Sequence, residues 1–137
     1  MIALYPKEGA LALAAAIRTL MAVSFVKLFK NDIPITVDTT AADLAAAEAD
    51  YDGYVPKTVT AYNPPYLDPQ GGATTSSGYE QFDYGPVGTP PVTNNILGLW
   101  GEDAGGKAII IFKFDAPIPM NEIGDSVPAS ILLNFGR

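Results

Sequence analysis

The sequence predicts a mainly β protein: an antiparallel β-sandwich, of which the jelly roll is one form, with an N-terminal helix and a short second helix. Twelve prolines and thirteen glycines in 137 residues divide the chain into many short segments. Six or more of these segments have the composition of strands, and the links between them are rich in turn residues. We assign residues 1–22 to a helical arm and residues 23–137 to a single sandwich domain.

The first predicted element is an alanine-rich helix over residues 7–21. Pro6 and Glu8 suit the beginning of a helix, and Arg18 suits its end. Three apolar residues share one face at helical spacing: Leu13, Ile17 and Leu20. This stripe could cap the β core or dock on another subunit.

Two other interpretations of this segment are weaker. Arg18 would lie near the centre of a transmembrane helix, which is costly. It would also interrupt the apolar run of a signal peptide, and the charge of Lys7 is cancelled by Glu8. We therefore expect a soluble helix and no membrane contact. Met21 is an alternative internal start.

The next predicted elements are a strand over residues 23–30, a turn at residues 31–34 and a short helix over residues 40–49. The strand carries apolar residues on both faces, as in strands covered on both sides. Thr40 can cap the helix, and Asp43 lies three positions later as in a capping box. Alternation predicts a half-buried strand over residues 57–62.

The second half begins with a long loop over residues 63–78, then a strand at 79–84 and a Pro-rich loop at 85–93. A hairpin joins strands 95–101 and 107–115 through the glycine-containing turn 102–106. Residues 109–112 form the most apolar run, which predicts a central strand. Residues 117–120 then link to a last strand over 129–135.

Composition excludes several kinds of chemistry. The chain has no His and no Cys, so Ser-His-Asp triads, Cys-His dyads, His or Cys zinc sites and disulfides are impossible. The net charge is −7, and Lys27 with Lys30 is the only close basic pair, which argues against nucleic-acid binding. We expect no catalytic residues and no cofactor.

Two motif-like segments have plainer explanations. Residues 101–108 nearly match a P-loop, but Ala108 replaces the Mg²⁺-binding hydroxyl and a strand follows, so a hairpin turn is expected. Residues 48–53 resemble half an EF-hand loop, but Val59 replaces its bidentate glutamate, so a solvated acidic helix end is expected. No spacing selects a pair of catalytic carboxylates. We expect no metal site.

Several short motifs, in their order along the chain, resemble those of small structural proteins of tailed bacteriophages. The motifs are Leu4-Tyr5-Pro6-Lys7-Glu8-Gly9, Leu28-Phe29-Lys30-Asn31-Asp32, Asp43-Leu44, Gly53-Tyr54, Asn95-Ile96-Leu97-Gly98-Leu99-Trp100 and Phe114-Asp115-Ala116-Pro117-Ile118-Pro119-Met120. The likeness spans most of the chain and falls on strand and turn positions. Pro34-Ile35 departs from the Thr-Pro usual in that family.

This resemblance implies a non-enzymatic virion component, and a capsid cement or decoration protein fits the size and acidity best. Such a protein would lie on the capsid exterior, bind the major capsid protein and form a homotrimer. The expected contact surfaces are the N-terminal stripe and the two long loops, the first of which carries Tyr66 and Leu67. The alternatives are a carbohydrate- or receptor-binding module of a tail fibre or spike, and a small enzyme.

Overall fold

The structure is a computed structural model, and it describes residues 8, 11–12, 15–16, 19, 23–59, 64–67, 69, 73–76, 80–130 and 132–135. The protein is mainly β, its described sheets are antiparallel, and it has one short helix besides the N-terminal helical residues. The mainly β class is therefore confirmed, while the sandwich or jelly-roll arrangement stays a prediction.

The chain divides into two compact units. Unit 1 comprises residues 1–22, 59–79 and 130–137, and unit 2 comprises residues 23–58 and 80–129. This division differs from the predicted one, an arm of residues 1–22 followed by a single domain of residues 23–137, because two later segments group with the first 22 residues.

Unit 2 is built on a four-stranded sheet. Its strands are β1 (Phe25–Phe29), β2 (Lys57–Thr58), β6 (Asn94–Glu102) and β7 (Ala108–Met120), in the order β2-β1-β6-β7. A separate pair joins β5 (Glu80–Asp83) to β8 (Ser126–Ala129). The predicted strand over 129–135 is wrong in its bounds, because residues 126–129 pair with β5 whereas residues 132–135 form β9 in unit 1.

Both faces of β1 are covered, as predicted. Val26 and Leu28 are buried on one face, and Phe29 is buried on the other. Phe29 joins Leu44 and Trp100 in one hydrophobic cluster, and the rings of Phe29 and Trp100 lie 6.5 Å apart. Burial of these large side chains is the main source of stability in this part of the unit.

The short helix α1 (Ala41–Ala45) places Leu44 over this cluster. The predicted capping box is confirmed: Thr40 accepts from the Asp43 amide, and the Asp43 carboxylate accepts from the Thr40 amide. The helix ends before the predicted residue 49 because residues 47–49 pair with β1 instead. The Lys30 amide donates to the Ala47 carbonyl, and the Ala49 amide donates to the Leu28 carbonyl.

The prediction of a central strand over residues 109–112 is wrong. They belong to β7, which lies at the edge of the four-stranded sheet, and every residue from 108 to 119 is half-buried or exposed. Residues 117–120 were expected to be a link, yet β7 continues through them. An edge strand tolerates proline because the amides on its outer side bond to no other strand, so a proline there removes no ladder hydrogen bond.

Unit 1 contains a three-stranded sheet of β3 (Tyr66–Leu67), β4 (Ala73–Ser76) and β9 (Leu132–Phe135), in the order β3-β4-β9. The prediction of a loop without structure over residues 63–78 is therefore wrong. The described residues between 8 and 19 are helical, in agreement with the predicted N-terminal helix. Among the described residues, no helix is long and apolar enough to cross a membrane.

Candidate functional site

Two of the five predicted interface residues lie in β3. Tyr66 is 51% exposed, whereas Leu67 is half-buried and packs against Ala73 together with Leu11. Tyr66 is thus available for contact, whereas Leu67 contributes to the packing within unit 1. The other three predicted residues, Leu13, Ile17 and Leu20, lie outside the described residues.

The second predicted loop, residues 85–93, is held in place by the side chain of Asp52. One carboxylate oxygen, Oδ2, accepts from the Gly88 amide at 2.7 Å and from the Val92 amide at 3.1 Å. The Asp52 backbone adds two bonds, donating to the Val92 carbonyl and accepting from the Gly85 amide. Four hydrogen bonds from one residue therefore fix both ends and the middle of the loop.

The charge on Asp52 is stabilised by this arrangement. Hydrogen bonds from the Gly88 and Val92 amides hold the pKa of Asp52 below its ordinary value. The Tyr84 hydroxyl adds a longer contact of 3.4 Å to the same oxygen. Asp52 is therefore ionised at neutral pH, when its carboxylate accepts its strongest bonds.

A second turn, at residues 121–125, lies beside this loop. Asp125 Oδ2 accepts from the Asn121 and Glu122 amides at 2.8 and 3.0 Å, and the Asp125 carbonyl accepts from the Tyr84 amide. A Cβ atom built on Gly85 would lie 3.7 Å from Ile123 Cγ1, so the tip of the turn reaches the start of the loop.

We call the loop 85–93 and the turn 121–125 together the loop platform. Its exposed apolar side chains are Ile123, at 77% exposure, and Val87 and Val92, at 46% and 41%. Exposed prolines lie among them: Pro86, Pro90 and Pro91. Exposed apolar side chains on a loop whose backbone is held by hydrogen bonds are typical of a binding site for another molecule.

Aromatic side chains form the core nearest the platform. Tyr51 stacks on Tyr84 at 6.1 Å between ring centroids, and Tyr54 stacks on Phe82 at the same distance. Burial, with a smaller contribution from Asp83, raises the pKa of Tyr51 to about 12. The Tyr51 hydroxyl has no hydrogen-bond partner within the described part of the chain. These rings support the platform from inside.

The acidic segment 48–53 has its side chains directed to different protein partners. Glu48 accepts from the Tyr54 hydroxyl at 3.0 Å, and Asp50 pairs with Lys30 at 2.6 Å and accepts from the Asn94 amide group at 2.9 Å. These two partners, Lys30 first, hold the pKa of Asp50 below its ordinary value. Over the described ranges, no three carboxylates come together to hold a metal ion.

A buried polar cluster lies on the Trp100 face of the sheet. Glu102, only 7% exposed, accepts from Trp100 Nε1 at 2.8 Å and pairs with Lys27 at 3.2 Å. Lys27 also lies 4.0 Å from Glu48 and 5.8 Å from the centre of the Trp100 ring. The charged groups of this cluster are paired with one another, so we assign the cluster a structural role.

The P-loop-like segment is a hairpin turn, as predicted. β6 ends at Glu102 and β7 begins at Ala108, and Asp103 Oδ1 accepts from the Gly105 and Lys107 amides at 2.9 Å each. A carboxylate fills the position where a P-loop would receive phosphate.

Comparisons with protein-family models, with curated proteins and with solved structures found no match to this chain.

The sequence analysis missed the role of Asp52. It read this residue as part of an acidic helix end, whereas its carboxylate organises a loop that begins more than thirty residues later. No local pattern signals such a contact. The only available hint was Gly53, since an Asp-Gly pair marks a tight turn that can bring the carboxylate toward another segment.

Proposed function

We propose that this protein is a non-enzymatic virion protein of a tailed bacteriophage, a cement or decoration protein on the capsid exterior that bridges neighbouring subunits of the major capsid protein. The order of the sequence motifs supports the family. The observation that carries the proposal is the loop platform, in which Asp52 holds an exposed apolar surface in one conformation.

A surface that is ordered before binding loses little conformational entropy on docking. The prolines of loop 85–93 and the four bonds of Asp52 both act in this direction. Specific docking needs roughly 800 Å² on each partner. Val87, Val92 and Ile123 would form the apolar centre of such a contact, with the polar backbone of the loops at its rim.

The other expected surfaces extend this proposal. Tyr66 is exposed enough to contact a capsid subunit, and its ring buries a large area for little entropy. The stripe of Leu13, Ile17 and Leu20 and the homotrimer stay predictions.

The geometry favours this proposal over a carbohydrate-binding module of a tail fibre or spike. Such a module stacks sugars on exposed aromatic rings. Of the aromatic residues considered for that role, Trp100 and Tyr84 are buried in the core and Tyr66 is exposed. Tyr62 and Tyr79 lie outside the described residues.

The test is a pull-down of the purified protein on undecorated heads of the parent phage. Val87→Asp and Val92→Asp each place a charge in the platform, and Val37→Asp makes the same change at a fully exposed valine in another loop of unit 2. Burial of one valine contributes about 1.5 kcal/mol, so each platform variant should bind at least about tenfold more weakly. Val37→Asp should bind like the wild type.

Two results would contradict this account. Equal binding by all three variants would show that the platform is not the contact surface. A cryo-EM density for the protein on the tail, or binding to host glycans in place of heads, would refute the cement role itself. The unfolding midpoint of each variant is the control that separates lost binding from lost folding.

A further inference from the structure

Charged side chains are distributed unevenly in unit 2. Its lysines all lie in, or directly beside, the strands β1, β2 and β7: Lys27, Lys30, Lys57, Lys107 and Lys113. The segments 80–106 and 114–129 have no lysine or arginine and seven acidic residues. These segments include the whole loop platform and the strands β5 and β8. The loop platform therefore carries no positive side chain of its own.

Four carboxylates lie in the loop platform or against it. Asp52 and Asp125 each accept from two backbone amides of the platform. Glu122 is exposed in the turn itself. Asp83 is exposed and pairs in register with Ser126, the residue that directly follows the turn. Within the described residues, none of the four carboxylates forms an ion pair, so no lysine neutralises their charge.

Two lysines contact residues next to the platform. Lys30 pairs with Asp50 at 2.6 Å, so its charge is already balanced. Lys57 Nζ lies 5.7 Å from the centre of the Phe82 ring, which belongs to the aromatic core nearest the platform. Of these two cations, Lys57 alone has no ion pair among the described residues. The charge around the platform's apolar side chains is therefore negative, with four carboxylates against one lysine.

We propose that the loop platform binds a basic protein surface, which has an apolar centre and lysine or arginine side chains around it. This inference rests on the proposed function, in which the platform is the contact surface, and adds the chemistry of the partner. Val87, Val92 and Ile123 would be buried at the centre of the contact. Glu122 and Asp83 would lie at its rim, opposite cations of the partner, because interfaces pair surfaces of opposite potential.

The same charges argue against other occupants of the platform. Nucleic acids and anionic membranes are negative, so carboxylates without cations repel them. A second copy of this chain carries a net charge of −7, and contact between two platforms would place like charges opposite each other. A basic protein surface is the class of partner that suits both the apolar centre and the acidic rim.

The sign of the salt dependence reports the charge of the partner. Charges at the rim of an interface act mainly on the association rate, and salt screens them. On immobilised undecorated heads, we expect the association rate of the wild type to fall on the order of tenfold between about 0.02 and about 0.5 M salt. A neutral partner surface would leave the rate unchanged, and an acidic one would make it rise with salt.

Charge reversal shows whether the platform is the source of this effect. Glu122→Lys and Asp83→Lys each reverse one charge at the rim, and Asp38→Lys makes the same change at an exposed carboxylate in another loop of unit 2. At low salt, each rim variant should associate on the order of threefold more slowly than Asp38→Lys. At high salt, the three variants should associate alike. Unfolding midpoints show that each variant is folded.

A second probe tests the platform without a capsid. A short amphipathic peptide of lysine and leucine is titrated into the ¹⁵N-labelled full chain, and backbone amide shifts are followed by NMR. The shifts should be concentrated in residues 85–93 and 121–125, with Gly88 and Val92 among them. A peptide of glutamate and leucine, matched in length and pattern, should cause no such shifts.

The outcomes separate this inference from the cement role. Heads that bind at a rate unchanged or raised by salt, or rim variants that associate as Asp38→Lys does, would overturn the basic partner and leave the cement role standing. If the heads do not bind at all, the cement role fails. Peptide shifts at the platform would then still support the basic partner, whereas shifts located elsewhere on the chain would overturn it.

Discussion

Gly53 lies so close to Gly85 that the Gly53→Ala substitution tests how Asp52 holds the start of loop 85–93. Gly53 has φ of +85°, and a Cβ built on it would lie 2.0 Å from the Gly85 carbonyl oxygen and 2.6 Å from its carbon. The Gly53→Ala variant can relieve this overlap only by moving the backbone of Gly85. That movement breaks the 2.7 Å bond from the Gly85 amide to the Asp52 carbonyl.

A matched control separates this clash from the cost of the backbone conformation. Gly106 has φ of +82°, and a Cβ built on it meets nothing within 4 Å. Gly106→Ala should therefore cost only the strain of positive φ, about 1 kcal/mol. Gly53→Ala adds the clash and a lost hydrogen bond of about 0.5–1.5 kcal/mol. We expect a total of about 3 kcal/mol or more.

The assay is urea denaturation followed by fluorescence of Trp100, the only tryptophan of the chain, which is fully buried. At a denaturant slope of about 1–3 kcal/mol/M, the two variants should differ by about 1 M in midpoint. Equal midpoints for Gly53→Ala and Gly106→Ala would refute the argument, since they would show that Gly85 moves away without lowering the free energy of unfolding. An altered slope would show that unfolding is no longer two-state and would require the platform to be followed separately.

Three further predictions concern stability. Leu44→Ala should lower the free energy of unfolding by about 2–5 kcal/mol, because Leu44 is fully buried, whereas Leu44→Met should cost less than about 1.5 kcal/mol. The pKa values of Asp50 and Asp52 lie below their ordinary values in the folded protein, so their stabilisation is present above the ordinary carboxyl pKa and is lost as the pH falls through the folded values. Urea midpoints measured at decreasing pH should fall there, and a constant midpoint would contradict the assigned bonds. EDTA should leave the melting temperature unchanged, because Glu48 and both aspartates have protein partners, and a fall of many degrees would reveal a metal site in this segment.

Short-range features of the fold could be predicted because a few neighbouring residues determine them. The cap formed by Thr40 and Asp43 needs only four positions in sequence. The hairpin turn at residues 103–107 is closed by the side chain and the backbone of Asp103. In both cases, the side chain that accepts the hydrogen bond and the amide that donates it are close neighbours in sequence.

The position of each strand in its sheet could not be predicted from its own composition. β6 is central although Gly98 and Gly101 lower its apolar content. The ring of Phe29 occupies the space beside Gly98, where a Cβ would lie 2.3 Å from the ring. Gly98 therefore adds no apolar side chain to β6, but it leaves the room in which Phe29 is buried. β7 has the stronger apolar pattern and lies at the edge, because strand order depends on pairing partners from distant segments.

The same reason explains why the candidate site was only partly predicted. Loop 85–93 was predicted to be a contact surface from its prolines. Its anchor could not, since Asp52 reaches Gly88 and Val92 across 36 and 40 positions. Tyr66 was predicted as an interface residue, and its exposure agrees with that role. Contact of these residues with a partner stays a prediction.

The arrangement of β8 and β9 has a consequence for how the chain is made. β8 completes the pair with β5 in unit 2, and β9 joins β4 in unit 1, so two strands near residue 130 complete sheets in both units. During synthesis, β4 and β5 leave the ribosome tens of residues before the strands that pair with them. The edges of β4 and β5 are unpaired during this interval. A chain interrupted before residue 126 would lack β8 in unit 2 and β9 in unit 1. We therefore expect the nascent chain to be most prone to aggregation until residues 126–135 have been made.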